Sequence, residues 1–166
     1  MTKTRPVVVE ADAGEALWFG GGRVTFKVTS EQSGGAFAVI HDTMPRGKTT
    51  PLHTHATFDE TIYVIEGELL VHIDGQEYSA GAGAIASIPR GTRHALLVTS
   101  DEARIIAFAT PGDVFERFCR EAGDVPTSSD AEPPPLDIEK VKAAGERTGA
   151  MTVLGAPPFA AIGARS

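Results

Sequence analysis

The chain has 166 residues, of which 42% are hydrophobic and 22% charged, a composition typical of one globular domain with a substantial core. Its 15 basic and 22 acidic residues give a formal net charge of −7, which argues against a nucleic-acid groove or an anionic membrane surface as its main partner. The sequence has no apolar run of about 18 residues that would predict a membrane-spanning helix. Its single cysteine, Cys119, excludes an intrachain disulfide, so we expect a cytoplasmic protein without a nucleic-acid or membrane partner.

The region from Glu15 to Ala109 predicts a series of short antiparallel strands. Apolar and polar residues alternate over segments that Gly, Pro and Asp separate, and no helical pattern intervenes. The predicted strands are EALWF, RVTFKVT, AFAVIHDTM, ETIYVIE, ELLVHID, QEYSA, AIASIP, HALLVT and ARIIAFA. The dipeptide Asp74-Gly75 is a strong hairpin signal. Strands at this spacing indicate an all-β fold, either a sandwich or a barrel.

The pattern changes after Gly112. In DVFERFCREAG the apolar residues recur at helical spacing, and Gly123 is placed to end the helix. The segment VPTSSDAEPPP predicts a linker or extended arm, and a second helix follows with Asp137 as its N-cap. We therefore predict a β-domain over residues 1–112 and a C-terminal helical segment with a Pro-rich linker and a tail over residues 113–166.

Three histidines and an acid lie next to predicted strands in the middle of the chain. Residues two apart on a strand share a face, so His53 and His55 can point into one cavity. Glu60 begins the next strand on a face that is otherwise aliphatic, and His94 begins another strand after a Pro-Gly turn. A buried carboxylate without a partner is very costly, and a divalent cation would remove that cost. Three imidazoles and one carboxylate could thus converge in an apolar interior.

The other polar residues near these strands have simpler interpretations. His41 and His72 lie on predicted strands, and we expect packed or surface positions for them. Arg90 and Arg93 flank the turn that precedes the last strand histidine, where a solvated turn is expected. Cys119 lies on the apolar face of a predicted helix and is expected to pack inertly.

The spacing of the histidines and the acid resembles the two signature motifs of the cupin superfamily. The first motif, G-x5-H-x-H-x4-E-x6-G, is met over residues 47–67. The second, G-x5-P-x-G-x2-H-x3-N, is met over residues 83–98, except that Val98 replaces the final Asn. The resemblance implies a small conical antiparallel β-barrel, the double-stranded β-helix or jelly roll, over residues 1–112, followed by C-terminal helices. It also implies a divalent transition metal, one per chain, bound by His53, His55, Glu60 and His94.

The ligand set leaves the metal open. Nitrogen and oxygen ligands without thiolate suit Fe, Mn, Ni, Co or Zn. An octahedral arrangement would leave two positions for substrate, water or dioxygen. Two alternatives keep the ligands without catalysis: a closed tetrahedral structural zinc, and a cupin that has lost its chemistry.

Among cupins with one barrel, the chain looks most like the bacterial quercetin 2,3-dioxygenase-like group. Beyond the motifs, TPGDVFERFCREAG and the late VLGAPP resemble the layout of that group. The resemblance implies a metal-dependent dioxygenase that acts on a small enolisable or phenolic compound and O₂. Glu60 would then be both a metal ligand and the catalytic base toward a substrate hydroxyl. The alternatives are an isomerase, cyclase or decarboxylase that uses the metal as a Lewis acid, and a non-catalytic cupin that binds a small molecule.

The segment TIYVI, residues 61–65, is apolar on both of its faces. Its outward face therefore needs cover as well, either from the C-terminal helices or from a second subunit. Because symmetric dimers are the commonest assembly, we predict a homodimer.

Overall fold

A computed structural model describes residues 4–128 and 133–160, and its main regular structure is two antiparallel sheets. The first sheet has the order β1-β2-β3-β10-β5-β8 and the second the order β11-β4-β9-β6-β7. The strands are β1 (Glu15–Phe19), β2 (Gly22–Val28), β3 (Ala38–Pro45), β4 (Leu52–Thr54), β5 (Asp59–Glu66), β6 (Glu68–Ile73), β7 (Gln76–Gly81), β8 (Ile85–Ile88), β9 (His94–Val98), β10 (Glu102–Thr110) and β11 (Thr152–Gly155). The helices are α1 (Asp113–Ala122) and α2 (Ile138–Thr148).

The two sheets enclose an apolar core between them. Along β3 the even-numbered residues are buried, and along β5 Ile62 and Val64 are buried while Tyr63 and Ile65 are exposed. This alternation directs one face of each strand to the interior. Among the described residues, strand pairing forms two sheets rather than one closed barrel. The predicted all-β jelly roll with C-terminal helices is confirmed, with the barrel realised as two facing sheets.

All nine predicted strands are present, with ends within two residues of the prediction, but β4 and β11 were not predicted. β4 has three residues, too few for a periodic pattern, and β11 pairs with it as an edge strand. The C-terminal segment therefore adds a strand to the second sheet. The hairpin turn at Asp74-Gly75 is confirmed by positive φ angles at both residues, 46° and 93°.

Both predicted helices form. α1 buries Phe115, Phe118, Cys119 and Ala122, and burial raises the pKa of the Cys119 thiol, in keeping with an inert packing role. α2 begins after Asp137, whose carboxylate accepts a hydrogen bond from the Lys140 backbone N–H at 2.9 Å. Residues 129–132 of the predicted linker and residues 161–166 of the tail lie outside the described residues. Neither helix is both long and apolar enough to cross a membrane.

Phe58 connects the β-sheets to α1. Its side chain is fully buried, and its ring lies 4.3 Å from that of His55 and 5.5 Å from that of Phe115. We expect Phe58→Ala to lower the free energy of unfolding by about 3–5 kcal/mol, because the substitution leaves a cavity in a packed core. Phe37, which is 37% exposed, provides the matched control, and Phe37→Ala should cost about 1 kcal/mol. Denaturant unfolding measures both, and equal losses would contradict this account.

Candidate metal centre

The four predicted site residues converge at one end of the interior. His53 lies on β4 beside His94 on β9, Glu60 lies on β5, and His55 follows directly after β4. Glu60 Oε2 is 3.2 Å from His94 Nε2 and 3.5 Å from His55 Nε2. The ligand atoms of the three buried histidines lie within 4.8 Å of one another. The three histidines can therefore hold a metal ion, although His55 lies beyond the end of the strand rather than on it.

Each histidine is oriented by a backbone carbonyl. The Nδ1 atom of His53 lies 2.8 Å from the Pro51 oxygen, and that of His94 lies 3.0 Å from the Thr92 oxygen. His55 Nδ1 is 2.7 Å from the carbonyl oxygen of Ala150. Because a carbonyl can only accept, each Nδ1 carries the hydrogen and donates it. In the neutral ring the lone pair is then on Nε2, the arrangement that metal-binding histidines require.

The surroundings of Glu60 favour its ionised form. Burial alone would raise the pKa of Glu60, but hydrogen bonds from His55 and His94 outweigh it and hold that pKa well below its usual range. Burial lowers the pKa of His94, whereas its hydrogen bond to Glu60 and the carboxylate charge raise it, with a net increase. Glu60 is thus an ionised carboxylate that needs a cation beside it, either a proton on an imidazole or a metal ion.

His53 contributes a neutral ligand. Burial lowers its pKa to about 3, and the neighbouring His94 and His55 add to the decrease. At neutral pH its imidazole therefore carries no extra proton, and its Nε2 lone pair is free to coordinate. Three imidazole nitrogens and one carboxylate oxygen, with no thiolate, fit a transition metal such as Fe, Mn, Ni, Co or Zn.

A cavity of about 180 Å³ extends from these ligands through the interior. His53, His55 and Glu60 line it at one end, and aliphatic and aromatic side chains form most of its wall. Residues of α1, α2 and the segment around β11 also line it: Phe115, Phe118, Ile138, Val141, Met151 and Val153. For comparison, an apolar cavity of about 150 Å³ holds a benzene ring. The cavity therefore suits a compact, largely apolar ligand.

The Ala150 carbonyl is a functional group that the sequence did not reveal. It holds His55 in place across 95 residues of sequence. Gly149 sets its position, because this residue ends α2 in the left-handed conformation with φ 70°. The glycine predicts a helix end, but nothing in the sequence connects that end to His55.

The polar residues with simpler interpretations lie away from the cluster. Arg90 pairs with Asp59 at 2.8 Å and Arg93 with Asp74 at 3.1 Å, and all four side chains are exposed. The solvated turn that was expected before His94 is confirmed. These ion pairs hold that turn at the surface rather than in the cavity.

Comparisons with known proteins agree with this geometry. A family model described as "Cupin domain" matches residues 40–109. Quercetin 2,3-dioxygenase from Bacillus subtilis (strain 168) is 28% identical over 113 residues, which cover 68% of this chain and 34% of the relative. The chain thus spans about a third of the length of that protein.

Solved structures share the fold. A predicted oxalate decarboxylase from Thermotoga maritima matches with a TM-score of 0.57 and 20% identity, over 63% of this chain and 99% of that one. The polyketide cyclase RemF from Streptomyces resistomycificus matches with a TM-score of 0.56 and 19% identity, over 64% of this chain and 80% of that one. Residues 40–109 of this chain therefore match a cupin domain, and the chain resembles a quercetin 2,3-dioxygenase.

Proposed function

We propose that the chain is a metal-dependent dioxygenase that acts on a small enolisable or phenolic compound. The main support for this proposal is the pairing of Glu60 with His55 and His94 at the end of an apolar cavity. Each imidazole there is oriented by a carbonyl so that its lone pair is available to a cation. The similarity to a quercetin 2,3-dioxygenase supports the oxygen-dependent version of this chemistry.

His53, His55, His94 and Glu60 would hold one divalent transition metal. When bound, the metal would acidify a coordinated substrate hydroxyl and favour the reaction of the resulting electron-rich compound with O₂. The chain itself supplies a base, because Glu60 is ionised at neutral pH and can accept the hydroxyl proton at its carboxylate. The apolar cavity wall orients a compact substrate and excludes bulk water from the reacting end.

The oxygen dependence distinguishes this function from its alternatives. We expect the metal-loaded chain to consume O₂ with quercetin or with smaller hydroxypyranones such as kojic acid. Glu60→Gln should lower that rate by about 100-fold or more, because the amide cannot accept the proton. Glu66→Gln, an exposed position on the same strand, is the matched control and should retain full activity. An oxygen electrode provides the measurement.

The alternatives give different results in the same assay. Conversion of these compounds without O₂ would favour a Lewis-acid isomerase, cyclase or decarboxylase. Binding without conversion would favour a small-molecule-binding cupin. Stoichiometric zinc that resists chelators would instead favour a structural site.

Metal affinity should depend on the Ala150 carbonyl. Ala150 is fully buried, so Ala150→Leu must displace the carbonyl that orients His55. We expect the affinity for Mn²⁺ or Ni²⁺ to fall by about 10- to 100-fold, the usual loss when a partner of a ligating histidine is removed. Isothermal titration calorimetry of the metal-free chain measures this.

Two further variants are controls for that measurement. His94→Ala should abolish tight binding because it removes a ligand. Ala156→Leu makes the same substitution at an exposed position of the C-terminal segment and should leave the affinity unchanged. An unaltered affinity in Ala150→Leu, with its folded state verified by circular dichroism, would show that the carbonyl does not position the ligand.

We also propose a homodimer formed through the outer face of the first sheet. This face exposes Tyr63, Ile65, Ile85 and Phe108, with exposed fractions from 39% to 65%. Tyr63 lies directly opposite Ile85 in the strand register, so these apolar side chains are contiguous. Within the described residues, the C-terminal helices leave this face uncovered, which favours a second subunit as its cover.

The proposed interface predicts that a charge in the apolar face lowers the sedimentation coefficient from that of a dimer to that of a monomer. Ile85→Asp should convert the dimer to a monomer at micromolar concentration, because it places a charge in the apolar contact. Val125→Asp, at a position that is 76% exposed and lies on neither sheet, should remain dimeric. A monomeric wild-type chain in sedimentation velocity would reject the interface.

A further inference from the structure

A second charged group lines the same cavity as the metal centre. Asp42 and Lys48 form an ion pair with Oδ2 and Nζ 2.6 Å apart, and their side chains are only 9% and 7% exposed. Asp42 lies on β3 in the inward-facing series that includes Ile40 and Met44. Both members of the pair line the cavity whose other end is formed by the histidines and Glu60.

The pair leaves one hydrogen-bonding position open. Lys48 Nζ donates to Asp42 Oδ2, and it lies 3.4 Å from the carbonyl oxygen of Phe19. Asp42 Oδ1 is buried and has no hydrogen-bond partner in the parts of the chain that the structure describes. Buried carboxylate oxygens are rarely left unsatisfied, because each lost hydrogen bond to a charged group is costly. Oδ1 is therefore an unsatisfied acceptor in the wall of the cavity that Asp42 lines.

A purely structural role explains this pair poorly. Replacing a buried ion pair by apolar residues of similar size is often neutral or stabilising, so stability is a weak reason for two charges at this position. The backbone also makes room for it at Gly22. A Cβ at that position would lie 2.5 Å from Lys48 Nζ, 2.8 Å from Asp42 Oδ1 and 2.9 Å from the Thr43 carbonyl oxygen, so a side chain there would displace the ion pair. The local structure thus accommodates two charges in a part of the cavity wall that also contains Ile40 and Met44.

The strand register separates this pair from the metal centre. Ala38 on β3 and Glu60 on β5 lie at the same level of the first sheet, because both pair with Ala109 of the intervening strand β10. Asp42 is four residues farther along β3, a distance of about 13 Å at roughly 3.3 Å per residue. A ligand that satisfies both ends of the cavity therefore needs a polar group at each end of a compact apolar body.

We propose that Asp42 and Lys48 form a specificity subsite that recognises a hydroxyl group at the end of the ligand remote from the metal centre. Asp42 Oδ1 accepts the hydrogen bond from this hydroxyl, and Lys48 keeps the carboxylate ionised and in position. The ligand class is a small ring compound with an oxygen-donor end and a distal hydroxyl. The inference that the ligand has oxygen donors at one end depends on the proposed function. The inference that it has a distal hydroxyl depends on the buried pair of Asp42 and Lys48.

Two hydroxypyranones that differ at one atom test this subsite. Kojic acid and allomaltol share the same hydroxyl and ketone oxygens, but kojic acid carries a distal hydroxymethyl group where allomaltol carries a methyl group. We expect the metal-loaded wild-type chain to bind kojic acid at least about tenfold more tightly, the effect of a hydrogen bond to a charged acceptor. Titration calorimetry with Mn²⁺-loaded protein measures both dissociation constants.

The double variant Asp42→Leu/Lys48→Met removes both charges and leaves neither partner buried alone. Its affinity for allomaltol should be retained, and its preference for kojic acid should fall to about one. The matched control Glu121→Leu/Arg147→Met removes an exposed ion pair that does not line the cavity, and it should keep the wild-type preference. If the double variant fails to fold, Asp42→Asn replaces it, with a preference reduced several-fold.

The outcomes distinguish a failure of the subsite proposal from a failure of the proposed function. Equal binding of the two compounds by the wild-type chain would overturn the subsite, and so would a preference that the double variant retains. The pair would then be structural, with Oδ1 satisfied by water. If neither compound binds the metal-loaded chain more tightly than the metal-free chain, the oxygen donors of the ligand do not bind the metal. That result would reject the proposed function and, with it, this ligand class.

Discussion

The buried carboxylate of Glu60 is the constraint on which the rest of this structure depends. An ionised carboxylate in an apolar interior is stable only beside a positive charge, and the surrounding imidazoles provide a place for a proton or a metal ion. The sheets bring these side chains from three strands and one loop to within hydrogen-bonding reach of one another. The apolar wall that makes the charge costly also makes a bound cation effective, because electrostatic interactions are stronger where water is excluded.

The C-terminal segment is part of the site rather than an appendage to the β-sheets. α1 and α2 contribute side chains to the wall of the cavity, β11 pairs with the strand that carries His53, and the Ala150 carbonyl oxygen lies 2.7 Å from His55 Nδ1. Phe58 couples these parts, since its ring contacts both His55 and Phe115. Packing of α1 and the position of His55 are therefore connected by direct contacts.

The cavity is polar at its two ends and apolar between them. At one end are the histidines and Glu60, and at the other are Asp42 and Lys48. An apolar wall binds many ring compounds with similar strength, so the polar groups must decide which ligand is held and in which orientation.

The sequence by itself determined the fold class and the identity of the four clustered residues. Strand periodicity, turn glycines and motif spacing are local properties of the sequence. They were sufficient to predict nine strands, both helices, and the clustering of His53, His55, Glu60 and His94. The inward position of Asp42 was not predicted. Only the tertiary structure decided that Lys48 pairs with Asp42, that a three-residue β4 exists, and that Ala150 holds His55. These features depend on contacts between distant segments, and no local pattern encodes them because their energy comes from packing and hydrogen bonding in the folded chain.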